Sequence, residues 1–261
     1  MRDYDDSEAA RRNDEDACQG CHRAAADIGD LCEACFVAAC DHEPDWRTLP
    51  ALAIDTETTG TNTEEDVVVE LGAYECPEGI ETTAAQRYAT IVNPGRPIPE
   101  GASAVHGITD DVVTDAPSLA DIAPRFLDLV RAAEVLVGYN APFDFAILGR
   151  QLGKEWDEAI AGKVVLDPLD LVRSDRVGRY WKGKGRHKLE SVAKRLRLDV
   201  GGRGAHSAGS DAQAAMRVLY ALHKELPRCG RCAEEWLADV HQKDRARFEE
   251  WKRNNPLPET A

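Results

Sequence analysis

The sequence lacks any apolar run approaching the ~18–20 residues that a membrane-spanning helix requires. Its N-terminus, residues 1–17, is acidic and contains no apolar stretch of the kind found in secretory signals. It also contains no internal repeat and no low-complexity tract. Hydrophobic residues make up 43% of the 261 residues and charged residues 30%, which is typical of a soluble globular protein. These features predict a cytoplasmic protein without a membrane partner.

The sequence also lacks an excess of positively charged residues, and its formal net charge is -15. This disfavours a protein that coats nucleic acid non-specifically, since phosphate affinity comes from Lys and Arg. The basic residues are nevertheless concentrated between Arg173 and Arg203, where eleven Lys or Arg stand against three acidic residues. A solvated charged face and a phosphate-contacting surface both fit this basic segment. An enzyme whose carboxylates hold metal ions also fits the acidic balance.

Composition divides the chain into four segments. We expect a disordered acidic N-terminus (1–17), a four-cysteine zinc module (18–48), an α/β domain (49–225) and a tail with a CxxC pair and a helix (226–261). In the α/β domain, strands are predicted over 51–56, 67–75, 86–94, 134–140 and 163–168, and helices over 118–133, 141–153, 188–198 and 210–226. Three early strands followed by alternating helices and strands indicate a mixed five-stranded sheet flanked by helices.

Two carboxylates stand at the end of the first predicted strand. Asp55 and Glu57 are two positions apart, so both point to one face of the strand. Ligands of open α/β sheets bind just beyond the carboxyl ends of strands, where this pair lies. Neighbouring carboxylates repel each other, and bound cations would offset that repulsion. Two solvent-facing acids at a strand end are the alternative interpretation.

Further acids fall at other strand ends and helix starts. Asp144 and Asp211 begin predicted helices, where the helix dipole alone favours an acid. Asp167 is either an additional acid of the site or a helix cap, and we favour the cap. His206 precedes Asp211 by five residues, which on one helix would set them ~140° apart. The surrounding glycines instead place His206 on a loop, where it is suited to general-base work near neutral pH. Together with the strand-end pair, these residues predict a two-metal hydrolase.

The motifs "IDTETTG", "VHGIT" at 105–109, "GYNAPFD" and His206 followed by Asp211 occur in this order over residues 50–223. Their order and spacing resemble the DEDDh 3′–5′ exonucleases, the group of the DnaQ-like proofreading subunit of bacterial replicative DNA polymerase. The resemblance implies a ribonuclease H-like fold. It also implies release of nucleoside 5′-monophosphates from the 3′ end of single-stranded DNA during replication or repair, with a DNA polymerase as a candidate partner. An RNA exonuclease of the same family and a non-catalytic zinc adaptor that binds nucleic-acid ends are the alternatives.

The resemblance also implies roles for individual residues. Two Mg²⁺ or Mn²⁺ ions would be held by four carboxylates, namely Asp55, Glu57, Asp144 and Asp211, with Asp55 bridging both ions. His206 would deprotonate the attacking water. The implied substrate contacts are Thr58, Thr59, His106, Asn140 and Phe143. Tyr139 stands where many relatives have His, which we interpret as a change in the pocket wall.

The cysteines form a separate pattern. Cys18, Cys21, Cys32 and Cys35 make two CxxC pairs separated by ten residues, which is a strong four-thiolate zinc signature. Disulfide pairing is the alternative, and the missing secretory signal disfavours it. A module of this size has almost no apolar core, so zinc would drive its folding.

Cys229 and Cys232 form a further CxxC pair without an assigned partner. Cys40 and His42 are either spare residues or join this pair in a second zinc site that ties the two ends of the domain together. A redox role for the pair lacks a thioredoxin-like strand and helix context, and Cys76 is expected to be an ordinary thiol. Apolar residues in the tail predict a helix that packs on the domain, with docking to a partner as the alternative.

Overall fold

A computed structural model describes residues 44–80, 84–175, 177, 178, 181, 183–199 and 206–254. The predicted zinc ligands Cys18, Cys21, Cys32 and Cys35 lie outside the described residues, as do Cys40 and His42. The zinc module and the division into four segments therefore stay predictions. Across the described ranges, no helix is both long and apolar enough to cross a membrane.

Within the described residues, five strands form one mixed sheet, and all five were predicted. They are β1 (Ala51–Thr58), β2 (Val68–Cys76), β3 (Gln86–Ile91), β4 (Val135–Val137) and β5 (Val164–Leu166). The order is β3-β2-β1-β4-β5. The β1–β2 and β2–β3 pairs are antiparallel, whereas β1–β4 and β4–β5 are parallel. β4 and β5 have three residues each and are shorter than predicted.

The helices include every predicted one and several short additional ones. They are α1 (Glu100–His106), α2 (Asp110–Val113), α3 (Leu119–Ala132), α4 (Ala141–Leu152), α5 (Lys154–Ile160), α6 (Pro168–Arg173), α7 (Leu189–Arg195), α8 (Ala208–Leu222) and α9 (Gly230–Asn254). Ser118 caps α3 in a reciprocal capping box with Asp121. The sequence did not predict α1, α2, α5 or α6. Each has seven residues or fewer, too few to establish a helical period.

The core lies on both faces of the sheet, and β1 separates its two halves. Ala51 and Ala53 belong to the apolar cluster that includes α8 and the start of α9. Leu52 and Ile54 belong to the cluster that includes α3, α4 and α5. Because side chains alternate along a strand, the odd-numbered residues of β1 face α8. Burial on both faces explains why this strand reads as a continuous apolar run.

The tail helix α9 packs on the domain through its first half, as predicted. Trp236 and Leu237 are buried in the α8-side cluster, and Glu234 Oε1 accepts a hydrogen bond from the backbone N–H of Val165 at 3.0 Å. That bond satisfies a donor of edge strand β5. Further along the helix, Phe248 and Trp251 are stacked at 6.1 Å between centroids and more than half exposed, so the predicted packing does not extend to them.

The first residues of the basic segment 173–203 contact the same helix, α9. Arg173 pairs with Asp244 at 3.3 Å, and Asp175 pairs with Arg247 at 2.8 Å. These ion pairs join the segment to α9, so Arg173 is engaged within the protein. Phosphate contact by the remaining basic residues stays a prediction.

Candidate active site

The floor of the site is formed by β1 and β2. Asp55 and Glu57 lie on the odd-numbered face of β1, the face that α8 covers. In the antiparallel register, Asp55 lies opposite Gly72 and Glu57 lies opposite Glu70. A carboxylate pair on β1 therefore lies beside a glycine and a third acid on β2.

Two glycines let the start of α8 lie directly on this floor. A Cβ at Gly72 would come within 2.1 Å of the carbonyl carbon of Ala208 and 2.3 Å of the nitrogen of Gly209. A Cβ at Gly209 would approach the Cβ of Ala89 on β3 to 2.8 Å. Only glycine permits so close a backbone approach. This contact positions Asp211, in the first turn of α8, over the end of β1.

Glu57, His206 and Asp211 converge above the floor. Each offers one ligand atom, and these atoms all lie within 4.8 Å of one another. His206 is exposed and precedes the start of α8, which confirms its predicted loop position. Its φ of 74° is unusual for a residue other than glycine, and such backbone strain concentrates at functional sites. Asp55 is not in this group of three and lies beside it.

Asp144 approaches the same strand end from α4 and is 3% exposed. Its Oδ1 accepts hydrogen bonds from the backbone N–H of Thr56 at 2.9 Å and from Thr56 Oγ1 at 2.6 Å. Both donors belong to the residue between Asp55 and Glu57. The structure thus places four predicted metal ligands around the carboxyl end of β1.

Burial raises the pKa values of all four carboxylates, and the charges of neighbouring acids add to this effect at Asp55, Glu57 and Asp211. The pKa of Asp55 is raised well above its usual range by burial and by the charges of Asp144, Asp211 and Glu57. Burial, reinforced by neighbouring acids, raises the pKa of Glu57 to about 8. Burial raises the pKa of Asp144 to about 7 and also raises that of Asp211.

Such a cluster is stable in its charged form only when cations offset the repulsion. Carboxylate oxygens are the donors preferred by Mg²⁺ and Mn²⁺. The donor set around the end of β1 therefore fits divalent cations of this kind, and the carboxylates of Glu57 and Asp211 lie close enough to share one, with the ring of His206 beside them.

Glu70 is a residue that the sequence analysis missed. It is 8% exposed and accepts hydrogen bonds from the backbone N–H of Ala208 at 3.0 Å and from Ser207 Oγ at 3.3 Å. It thereby anchors Ser207 and the start of α8, directly after His206. An acid inside the apolar run "VVVELGAYE" was the available signal, because a buried carboxylate requires hydrogen-bond partners.

The predicted substrate residues Thr58 and Thr59 lie at the end of β1, where Thr58 is the last strand residue and Thr59 begins the following loop. Thr58 Oγ1 donates to the carbonyl of Gly60 at 2.6 Å. Thr59 Oγ1 donates to Asp66 Oδ1 at 2.8 Å and accepts from the backbone N–H of Val67 at 3.1 Å. Both hydroxyl groups therefore help to shape the loop. Their contact with a nucleotide stays a prediction.

The other predicted substrate residues are His106, Asn140 and Phe143. Nδ1 of His106 accepts a hydrogen bond from the backbone N–H of Ile108 at 3.0 Å. Within the described residues, Nε2 of His106 is buried without a hydrogen-bond partner, and burial lowers the pKa of this ring. Asn140 is exposed with a φ of 73°, and Phe143 is partly buried against the α3-side core. Their substrate roles stay predictions.

Asp167 is confirmed as a helix cap, and it serves two helices. Its carboxylate accepts hydrogen bonds from the backbone N–H groups of Asn140 at 3.1 Å, Ala141 at 2.9 Å and Leu169 at 2.8 Å. These groups lie at the starts of α4 and α6. Burial raises the pKa of Asp167 to about 7, against the lowering effect of these three donors. The neighbouring Tyr139 hydroxyl donates to the carbonyl of His187 at 2.5 Å.

The mixed sheet and the acids at the end of its central strand define an α/β protein of the ribonuclease H-like class. Residues 52–219 match the exonuclease family, and the chain belongs to that family. The resemblance that the four sequence motifs indicated is thereby confirmed.

Several curated relatives carry the name of a polymerase subunit. A DNA polymerase III subunit epsilon-like protein from Rhodobacter capsulatus is 35% identical over 182 residues, covering 67% of this chain and 24% of that protein. The DNA polymerase III subunit epsilon of Pasteurella multocida is 32% identical over 180 residues, covering 66% and 67%. That of Treponema pallidum is 33% identical over 170 residues, covering 64% and 73%. The chain thus spans about a quarter of the length of the Rhodobacter relative.

Solved structures share the fold. Exonuclease X in complex with 5′ overhanging duplex DNA superposes with a TM-score of 0.51 at 24% identity, over 73% of this chain and 98% of that one. E. coli Exonuclease I in complex with a dA16 oligonucleotide gives a TM-score of 0.59 at 20% identity, over 70% and 42%. At these identities the likeness concerns the fold alone.

Proposed function

We propose that this protein is a divalent-metal-dependent 3′–5′ exonuclease that releases nucleoside 5′-monophosphates from single-stranded DNA. One observation supports this function above all. The ligand atoms of Glu57, His206 and Asp211 lie within 4.8 Å of one another, and the carboxylates of Asp55 and Asp144 lie beside them. Carboxylates at this density repel one another and have raised pKa values. A pair of bound divalent cations makes the arrangement stable and useful for phosphodiester hydrolysis.

The residues divide into two roles. Asp55, Glu57, Asp144 and Asp211 hold two Mg²⁺ or Mn²⁺ ions. When bound, such ions lower the pKa of a coordinated water, which makes that water a better nucleophile, and they neutralise the charge on the leaving oxygen. The exposed His206 takes the proton from the attacking water, because its ring lies next to the carboxylates and an imidazole nitrogen can accept a proton. Attack at the last phosphodiester bond would leave the phosphate on the released nucleoside.

The choice of DNA as substrate rests on the relatives. Exonuclease X and Exonuclease I are named in complexes with DNA, and the curated relatives are named as DNA polymerase III epsilon subunits or epsilon-like proteins. The same names make a DNA polymerase the candidate partner, in proofreading or repair. Co-purification of the full chain with the polymerase of its own host tests that association.

The activity is tested with 5′-labelled single strands of DNA and RNA of one sequence, incubated with magnesium or manganese. We expect a ladder that shortens from the 3′ end, faster on DNA, and that is lost in Asp55→Asn. His206→Gln should retain magnesium binding while its rate falls by about 10²–10⁴-fold, the usual contribution of a general base. Faster shortening of RNA would indicate that the protein is an RNA exonuclease of the same family. Binding of 3′ ends without shortening would favour the adaptor alternative.

A further inference from the structure

The end of β1 leaves the regular strand ladder next to the site. The pairing of β1 with β2 shifts register between Glu57 and Thr58, where Glu57 lies opposite Glu70 and Thr58 lies opposite Val68. A bulge of this kind redirects the residues that follow it and is common beside active sites. The paired ladder therefore holds Glu57, whereas the course of the chain after Thr58 depends on contacts made by the following loop.

The carboxylate of Asp66 lies at the centre of that loop. Its Oδ1 accepts a hydrogen bond from Thr59 Oγ1 at 2.8 Å, and its Oδ2 accepts one from the backbone N–H of Asn62 at 2.8 Å. The backbone N–H of Asp66 donates to the carbonyl of Asn62 at 2.8 Å, and that of Thr59 donates to the carbonyl of Val67 at 2.9 Å. One carboxylate thus connects the start of the loop to its end.

Gly60 brings its backbone close to the same carboxylate. A Cβ at Gly60 would come within 2.5 Å of Asp66 Oδ2 and 2.8 Å of Asp66 Cγ. The carboxylate could not turn away from such a Cβ without losing its hydrogen bonds to Thr59 and Asn62. Glycine at this position therefore lets the loop fold around Asp66.

Arg150 joins this loop to α4. Its guanidinium Nε donates to the carbonyl of Thr63 at 2.8 Å, and its Nη2 donates to the carbonyl of Asp66. The planar guanidinium presents both donors at once, which a lysine ammonium does not reproduce. Asp144, which accepts the two hydrogen bonds from Thr56 on β1, lies six residues earlier on the same helix. Helix α4 is therefore bonded to β1 at its start and to the following loop near its end.

We propose that Asp66 and Arg150 are positioning residues that hold residues 58–60 in place as the binding surface for the 3′-terminal nucleotide. This inference rests on the proposed function and on the predicted substrate contacts of Thr58 and Thr59. Both threonines lie at the carboxyl end of β1, where open α/β sheets bind their ligands. Within the described residues, the side chains of Asp66 and Arg150 bond to this loop and to none of the four carboxylates of the site. Their contribution is therefore to nucleotide binding, not to metal binding.

Two measurements test the proposal, namely kinetics on single-stranded DNA and calorimetric binding of thymidine 5′-monophosphate in the presence of magnesium. We expect Asp66→Ala and Arg150→Ala each to raise KM and the Kd of the mononucleotide by about 10-fold, the effect of losing one hydrogen bond to a charged group. The change in kcat should be smaller, and the affinity for magnesium should equal that of the wild type. Asp66→Asn keeps one acceptor oxygen and should lose less than Asp66→Ala, whereas Arg150→Lys should resemble Arg150→Ala.

Matched variants separate this role from an effect of charge. Gly60→Ala should reproduce the effect of Asp66→Ala, because its Cβ displaces the carboxylate. Glu64→Ala removes an exposed acid of the same loop, and Arg131→Ala removes an exposed arginine of α3 that pairs with Asp128. Both of these controls should keep the wild-type KM.

Wild-type KM and Kd in either Asp66→Ala or Arg150→Ala, with an active wild type, would overturn this inference alone. So would a fall in kcat and magnesium affinity at unchanged KM, because the two residues would then support the metal site. A wild type that binds the mononucleotide without shortening DNA would overturn the proposed function, and the binding comparison would still decide this inference. A wild type that does neither would overturn both.

Discussion

The carboxylate of Glu70 on β2 accepts a hydrogen bond from the backbone N–H of Ala208, the first residue of α8, at 3.0 Å. Glu70 lies opposite Glu57 in the sheet register, and Asp211 lies one turn further along α8. The bond therefore links the strand that carries one predicted metal ligand to the helix that carries another. Glu70 is a positioning residue, since its oxygens are directed to the helix start.

Substitution of Glu70 should lower activity without removing a metal ligand. Glu70→Ala loses both hydrogen bonds to the helix start, and a shift of about 1 Å at a catalytic group costs ~100-fold in rate. Glu70→Gln keeps one acceptor oxygen and should retain more activity than Glu70→Ala. Steady-state rates on single-stranded DNA measure the difference. Glu75→Ala, three positions beyond Gly72 on the same strand, is the matched control and should retain wild-type activity.

A side chain at Gly72 should destabilise the protein. The Cβ of Gly72→Ala would meet the backbone of Ala208 at 2.1 Å, and backbone atoms cannot move aside as a flexible side chain can. We expect a loss of at least about 3 kcal/mol in the free energy of unfolding, at the upper end of overpacking costs. Denaturant unfolding measures it. Gly101→Ala, in α1 with open space around its Cβ, should be neutral or stabilising, and equal effects of the two substitutions would refute the close helix contact.

The stability of the metal-free protein should fall as pH rises. The pKa values of Glu57 and Asp144 are raised in the folded protein to about 8 and about 7, whereas unfolded carboxyls titrate near pH ~4. The folded state therefore binds more protons between these limits, so this contribution is complete below pH ~4 and is lost as pH rises through ~7–8. Magnesium should raise the melting temperature more at pH 8 than at pH 6, because its ligands must be deprotonated.

Thermal unfolding in magnesium- and manganese-free buffer between pH 6 and pH 9 measures this dependence. The Gln side chain of Glu57→Gln cannot ionise, so the melting temperature of this variant should depend less on pH. A melting temperature that rises with pH in the metal-free wild type, or a profile unchanged by Glu57→Gln, would contradict the electrostatic account of the cluster.

Removal of the carboxylate of Asp167 should destabilise two helix starts together. Asp167→Ala leaves three backbone N–H groups without their acceptor. A single lost helix cap costs ~1–2 kcal/mol, so we expect a loss of about 3 kcal/mol for Asp167→Ala and less for Asp167→Asn, which keeps one oxygen. Chemical denaturation measures both. The exposed Asp115→Ala serves as control, and a similar small effect of all three substitutions would refute the double cap.

The sequence predicted the sheet because its strands are marked by β-branched and apolar runs. The predicted helix bounds at 118 and 153 fall on the observed cap residues Ser118 and Gly153, since capping chemistry is local. The short helices α5 and α6 were missed because each is too short to show a period. Predicted strands 134–140 and 163–168 extended too far, because pairing ends at Val137 and Leu166, where each apolar run also ends.

The acidic residues of the site were predictable from their spacing and order, whereas the long-range contacts that bring them together were not. The contact of α8 with the sheet depends on Gly72 and Gly209, which are far apart in sequence and have no local signature. Glu70 was missed for the same reason, because its partner at Ala208 is 138 residues away. Long-range contacts of this kind become evident only in the folded chain.

In the proposed reaction, the acidic cluster directs water to the last phosphodiester bond at a DNA 3′ end. This reaction is tested most directly by digesting single-stranded DNA with magnesium in heavy-oxygen water and weighing the released nucleotides by mass spectrometry. We predict nucleoside 5′-monophosphates that contain one heavy oxygen in the phosphate, formed by the wild type and not by Asp55→Asn. Absence of released nucleotides, or release of 3′-phosphates, would contradict the account.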